Sequence, residues 1–157
     1  MLTTETERAM NTPNAVMFVN PGHLGYYTPK NGVSVVPFLG SMFAKYPRTL
    51  AFVDHPPQEN KTPDGQYDMS VVNQTQCTCI PKAVCNTYAT NEAIYEGLCS
   101  VTGIKIRRVR IFDAFNDGIT CKMRRPSDCT HYPLSADLWV PVMAAFRRAT
   151  LELDEIP

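Results

Sequence analysis

Short apolar runs closed by turn residues set the pattern of the first half of the chain. Ala15-Val16-Met17-Phe18-Val19 stops at Asn20-Pro21-Gly22, and Val33-Ser34-Val35-Val36 follows the turn pair Asn31-Gly32, so both read as β-strands and are expected to pair with each other. Gly40 to Tyr46 predicts one or two helical turns before Pro47. Thr49-Leu50-Ala51-Phe52-Val53 then predicts a third strand, stopped by Asp54-His55-Pro56-Pro57. Gln58 to Tyr67 is polar, with Pro63-Asp64-Gly65 as a turn, and reads as an exposed loop. Nine of the thirteen prolines fall in positions 1–81, which disfavours long helices there.

The second half is more regular. Pro81 suits the first position of a helix and Gly103 the residue just past its end, bounding a helix that carries Val84, Tyr88, Ile94, Leu98 and Val101. Ile104 to Phe115 reads as a strand, Asn116-Asp117-Gly118 as a tight turn and Ile119 to Arg125 as the returning strand of a hairpin. Alternation breaks at Arg107-Arg108. Val109 and Ile111 share a face with Ile104 and Ile106 only if one residue is inserted, so a β-bulge is expected at Arg107 or Arg108. Pro141 opens a last helix, in which Val142, Phe146, Ala149 and Leu153 form one apolar stripe for packing on the sheet.

Strands and helices mix without a repeating βαβ period and without internal repeats. The expected class is therefore α+β: an antiparallel sheet, including the long bulged hairpin 104–125, packed against one or two helices. At 157 residues the chain is expected to be one domain, 1–157, with a proline-rich, loop-rich half (1–81) and a more regular half (82–157).

Composition and charge sharpen this. Hydrophobic residues are 44% and charged residues 19% of the chain; the first figure supports a core, and the second leaves a surface with few charges, as expected where part of it is covered. Fifteen basic side chains balance fifteen acidic ones, which excludes a disordered polyelectrolyte. No apolar run reaches the roughly 18 residues of a membrane helix, and Met1 to Asn20 lacks a basic start followed by an apolar stretch. Synthesis in the cytoplasm without a signal peptide, and no membrane partner, are the expectations. The neutrality hides an asymmetry: positions 105–125 hold Lys105, Arg107, Arg108, Arg110, Lys122, Arg124 and Arg125 against only Asp113 and Asp117. These seven are candidates for an interface or for anion binding, because arginine forks match carboxylate and phosphate geometry.

All six cysteines, Cys77, Cys79, Cys85, Cys99, Cys121 and Cys129, lie between 77 and 129. In a reducing cell they are buried thiols; in a particle released from the cell they are candidates for disulfides, with fifteen pairings open. Cys77, Cys79, Cys129 and His131 form a weaker candidate set for tetrahedral zinc, since neither pair has the usual knuckle spacing. No metal or other cofactor is favoured. His55 with Asp54, and His131 beside Cys129, supply residue types for a nucleophilic cysteine enzyme, but no local motif surrounds any cysteine. His23 reads as a turn residue, and Glu59, Asp64 and Asp68 as solvated loop acids; no glycine-rich phosphate loop is present.

These observations favour a non-enzymatic structural subunit of a large assembly, such as the tail, neck or capsid-associated part of a virus or phage particle. It would dock with copies of itself and other subunits through its arginine-rich hairpin, and be carried in the released virion. The alternatives are a small cysteine-dependent enzyme or zinc-stabilised module, and a nucleic-acid-binding protein that uses the basic hairpin.

Overall fold

The computed structural model describes residues 3–21, 35–57, 82, 85–115 and 132–151. Among these residues eight elements follow in order: α1 (Thr4–Met10), β1 (Met17–Val19), α2 (Val36–Lys45), β2 (Leu50–Val53), α3 (Asn86–Thr102), β3 (Arg108–Val109), α4 (Phe112–Phe115) and α5 (Ala136–Leu151). The strands form one sheet in the order β1-β2-β3. Both pairings are parallel: Met17 to Val19 lie against Leu50 to Phe52, and Phe52 and Val53 against Arg108 and Val109.

This overturns the expected α+β architecture with an antiparallel sheet. The described chain runs β-α-β-α-β, and the residues of β2 explain why. Leu50, Ala51, Phe52 and Val53 are all buried, so neither face of the strand sees water. A short, continuously apolar strand covered on both sides is characteristic of parallel sheets, whose crossover helices pack on the faces. Leu50 and Phe52 join one core with Met10, Leu39, Phe43, Ile94, Leu98 and Ile106 under α2 and α3. Ala51 and Val53 join a second core with Val109, Ile111, Phe115, Leu138, Val142, Ala145 and Ala149 under α5. The result is three layers, with helices on both sides of the sheet.

The same two faces account for the expected bulge. Ile106 belongs to the α2/α3 core, while Val109 and Ile111 belong to the α5 core. The break in alternation at Arg107-Arg108 therefore separates residues of opposite faces, and no inserted residue is needed to bring them to one. Of the expected strand 104–115 only Arg108–Val109 pairs, with β2 and in parallel, and Phe112–Phe115 turns into a helix instead. The expected turn and returning strand, 116–125, lie outside the described residues, as do the loop at 58–67 and Leu153.

Other expectations differ in detail. Val36 opens α2 rather than ending a strand, and Pro37 sits in the first turn, where its missing N–H costs nothing. β1 consequently pairs with β2. The α3 helix ends as expected at Gly103, whose φ of 63° is the left-handed conformation that glycine adopts without strain. Pro141 lies inside α5 rather than at its start. The extra turn before it carries Leu138, which is fully buried in the second core; burying a leucine contributes about 2–3 kcal/mol, the same order as the cost of an internal proline. The pair α2/α3 approaches closely through small residues. A Cβ on Gly97 would lie 3.0 Å from Val36 Cγ2, and one on Gly40 would lie 2.7 Å from Val101 Cγ2. Among the described residues no helix is long and apolar enough to cross a membrane.

Candidate functional site

Because all three strands run the same way, their carboxyl ends lie along one edge of the sheet, the edge at which open α/β sheets place their ligands. Asn20 follows β1, Asp54 and His55 follow β2, and Arg110 follows β3. The Asn20 side-chain amide donates to the carbonyls of Val53 and Asp54, both at 3.1 Å, and so ties the end of β1 to the end of β2. Asp54 and His55 are buried. From α3 the Asn91 side chain brackets the His55 backbone: its Oδ1 accepts from the His55 N–H at 2.9 Å and its Nδ2 donates to the His55 carbonyl at 2.9 Å. The His55 ring places Nδ1 2.8 Å from the Pro56 carbonyl. A carbonyl only accepts, so this nitrogen carries the proton.

Arg108 is the centre of the charge arrangement. Its Nε donates to Asp54 Oδ1 at 2.6 Å and its Nη2 to Glu92 Oε1 at 2.8 Å, and its guanidinium carbon stands 4.9 Å from the centroid of the Tyr95 ring. The side chains of Arg108 and Asp54 are 4% and 2% exposed, so this pair is fully desolvated, whereas Glu92 is 26% exposed. Burial raises the Asp54 carboxyl above its ordinary range, against the opposing pull of Arg108. The hydrogen bond from Arg108 lowers Glu92. Arg108 itself is held firmly charged by its two carboxylates, which outweigh its burial.

On the outer side of β3 lies a cavity of about 250 Å³. Lys105, Arg108 and Arg110 line it from the β3 segment, Arg148 from α5 and Tyr95 from α3, and among the described residues no acidic side chain lines it. Lys105, Arg110 and Arg148 are exposed. Three of the seven basic residues singled out in the sequence thus meet at one place, joined by Arg148, for which the sequence offered no signal. Arg107 points elsewhere and is buried at the opposite, amino edge of the sheet. Lys122, Arg124 and Arg125 lie outside the described residues.

Cys85 caps the start of α3, buried against Phe112 and Tyr88, and Cys99 is half-buried against the α2/α3 core; neither is in a disulfide. Cys85 packs as a small buried hydrophobe, and Cys99 does so only in part. Cys77, Cys79, Cys121, Cys129 and His131 lie outside the described residues, and among the described residues no group of three or more His, Cys, Asp or Glu is placed to hold a metal. The segment after His131 is anchored at the carboxyl edge. The Tyr132 hydroxyl reaches the carbonyls of Pro57 at 3.3 Å and Phe115 at 3.4 Å, and its ring stacks edge-on against Phe115 with centroids 4.4 Å apart.

Sequence reasoning marked Asp54 and His55 as a strand end but missed Asn20, Asn91 and Glu92. Asn91 left one readable trace: an asparagine inside a helix, where it is a poor helix former, has a reason to be there only if its amide has buried work to do. No protein-family model, no curated protein and no solved structure matches this chain.

Proposed function

We propose that this chain is a non-enzymatic docking subunit that receives an acidic, extended segment of a protein partner along the outer edge of β3. One observation carries the reading: Lys105, Arg110 and Arg148, all exposed, converge with the buried Arg108 on a single cavity that no acidic side chain of the described residues lines. In the described sheet order β3 is an edge strand, so its outer N–H and C=O groups offer main-chain pairing to an added strand, and the cations select an acidic one. Arg108 lines the cavity from beneath, but Asp54 and Glu92 already answer its charge, so the three exposed cations carry the selection.

The test is fluorescence polarisation of a labelled oligoglutamate peptide, and separately of a short duplex DNA, with wild type and with Lys105→Glu/Arg110→Glu/Arg148→Glu. Wild type should bind the peptide and release it as salt rises, because the Debye length shrinks from about 10 Å at 0.1 M to about 3 Å at 1 M. The triple reversal should not bind, yet should fold, since each surface change costs no more than about 0.5 kcal/mol. Equal peptide binding by both proteins would refute the reading, and tighter binding of DNA than of peptide would replace it with the nucleic-acid alternative.

A second reading, a cysteine-dependent hydrolytic enzyme using Cys129 and His131, rests on those residue types and their spacing of two in the sequence. Hydrolysis of an activated ester, lost in both Cys129→Ala and His131→Ala, would support it; absence of turnover by wild type would remove it.

A further inference from the structure

Arg107 and Arg108 are neighbours in sequence with buried side chains, and each leaves guanidinium nitrogen without a partner, but only Arg108 is paired with opposite charge. Arg108 meets two carboxylates. Arg107 is 5% exposed, its Nε and Nη1 are buried without any hydrogen-bond partner, and no carboxylate of the described residues pairs with it. Its backbone is fixed, because the Arg107 carbonyl accepts from the Phe52 N–H at 2.9 Å as part of the sheet. The guanidinium is therefore rooted in rigid structure and lines a cavity of about 700 Å³ at the amino edge of the sheet, opposite the edge that holds Asp54 and His55. Among the described residues Met10, the loop 11–16, Lys45 at the end of α2 and the loop 46–49 form the rest of its wall.

We propose that this cavity binds a small molecule bearing a carboxylate or phosphate group, with Arg107 as the residue that holds the anion. A buried cation is tolerated only when an opposite charge or well-placed acceptors replace the water it has lost. None of the described residues supplies one to Arg107, and its surroundings add positive charge rather than negative: burial first, then the nearby Arg48 cation, lower its proton affinity. Lys45 also lines the cavity, with its ammonium 3.2 Å from Glu7 Oε1. The volume falls in the range of roughly 300–1,000 Å³ typical of small-molecule sites, so it has room for more than the anionic group. Met10, Ala15, Val16, Tyr46 and Pro47 offer apolar surface to the remainder. This site lies at the other end of the strands from the sheet's carboxyl edge and uses none of the cations of the β3 cavity except through the shared chain.

Isothermal titration of the full chain at constant ionic strength, with phenyl phosphate, benzoate and the neutral benzyl alcohol, tests it. One or both anions should bind saturably and the alcohol should not; which anion binds identifies the ligand class. Arg107→Met should weaken that binding at least about tenfold, the equivalent of about 1.4 kcal/mol, and Arg107→Lys, which keeps the charge but not the planar donors, should weaken it too. Lys105→Gln should leave it unchanged. In anion-free buffer Arg107→Met should unfold at the same temperature as wild type or higher, because it removes an unanswered buried charge. Failure of both anions to bind at up to about 10 mM, where even a millimolar Kd would show, overturns the proposal. So does unaltered binding by Arg107→Met, or a fall in its melting temperature without ligand, since either assigns the guanidinium to the scaffold.

Discussion

Replacing Arg108 with methionine tests whether the buried charge pair holds the carboxyl edge together. The substitution keeps most of the side-chain volume, so the loss is electrostatic rather than a cavity. It leaves Asp54, 2% exposed, as an uncompensated carboxylate, and removing one partner of a buried pair typically costs about 3–5 kcal/mol. Against a typical domain stability of about 5–15 kcal/mol, that is a large fraction. The pH dependence gives the mechanism a signature. Burial already holds Asp54 above its ordinary range, and without Arg108 it rises further. A carboxyl whose folded-state pKa exceeds its unfolded value favours folding below the unfolded pKa, and that contribution is lost as pH climbs through the folded one. Glu92 has the opposite sign: lowered by Arg108, it adds stability above its unfolded pKa, and that part is lost as pH falls through the lowered value. The variant loses the Glu92 contribution and enlarges the Asp54 penalty, so its stability should fall as pH rises from about 5 to about 8 more steeply than that of wild type. Each further unit of upward shift at Asp54 adds about 1.4 kcal/mol to the difference. Urea unfolding of both proteins at the two pH values measures this. Adding Asp54→Asn to the variant should recover stability at the higher pH and flatten the dependence, a coupling a double-mutant cycle isolates. A loss below about 1 kcal/mol with no pH dependence would refute a desolvated pair.

Asn91→Ala should cost about 2–4 kcal/mol in chemical denaturation, because it strands the buried N–H and C=O of His55 together; Asn91→Asp, which keeps the acceptor but loses the donor, should not rescue it. Gly97→Ala should destabilise by about 1–2 kcal/mol, since Val36 is buried and has little room to retreat, even after the helix-propensity gain of about 1 kcal/mol. Gly40→Ala meets the tighter contact but should be neutral or stabilising in the same assay, because Val101 is 59% exposed and can turn away. Lys45→Ala, which removes an exposed ion pair with Glu7, should change stability by less than about 0.5 kcal/mol.

What the sequence revealed was local, and what it hid was long-range. Val53 stopped by Asp54-His55, the α3 helix stopped by Gly103 and an apolar stripe through Val142 and Ala149 all declare themselves over a few residues, through turn chemistry and helical spacing. Strand direction does not, because Phe52 meets Arg108 only after a crossover through α3. The turn signal Asn116-Asp117-Gly118 suggested a hairpin, and the alternation break beside it was forced into a bulge; the missing fact was that both faces of this sheet are covered. The candidate site was half legible for the same reason. A cluster of basic residues shows in the sequence, but which cations face Asp54, which line a cavity and which meet Arg148 depends on strand register and on where α5 lies.

The parallel order of the strands also governs how the chain reaches its structure. No strand pair described here can close through a short turn: Met17 waits for Leu50 and Phe52 waits for Arg108, each across a helix. Such distant contacts slow folding, because chain entropy is lost before any pairing is gained. The β2–β3 span is less than twice the β1–β2 span, so closing it costs less than about 0.6 kcal/mol more; loop entropy alone barely ranks the two. During synthesis the order is set by emergence instead. The unit from β1 through α2 to β2 leaves the ribosome first with its central strand open on one side, and Phe52 and Val53 stay unprotected until α3, β3 and finally α5 arrive to cover them. The four buried residues of β2 are thus the core of the finished sheet and its most exposed liability while it is being made.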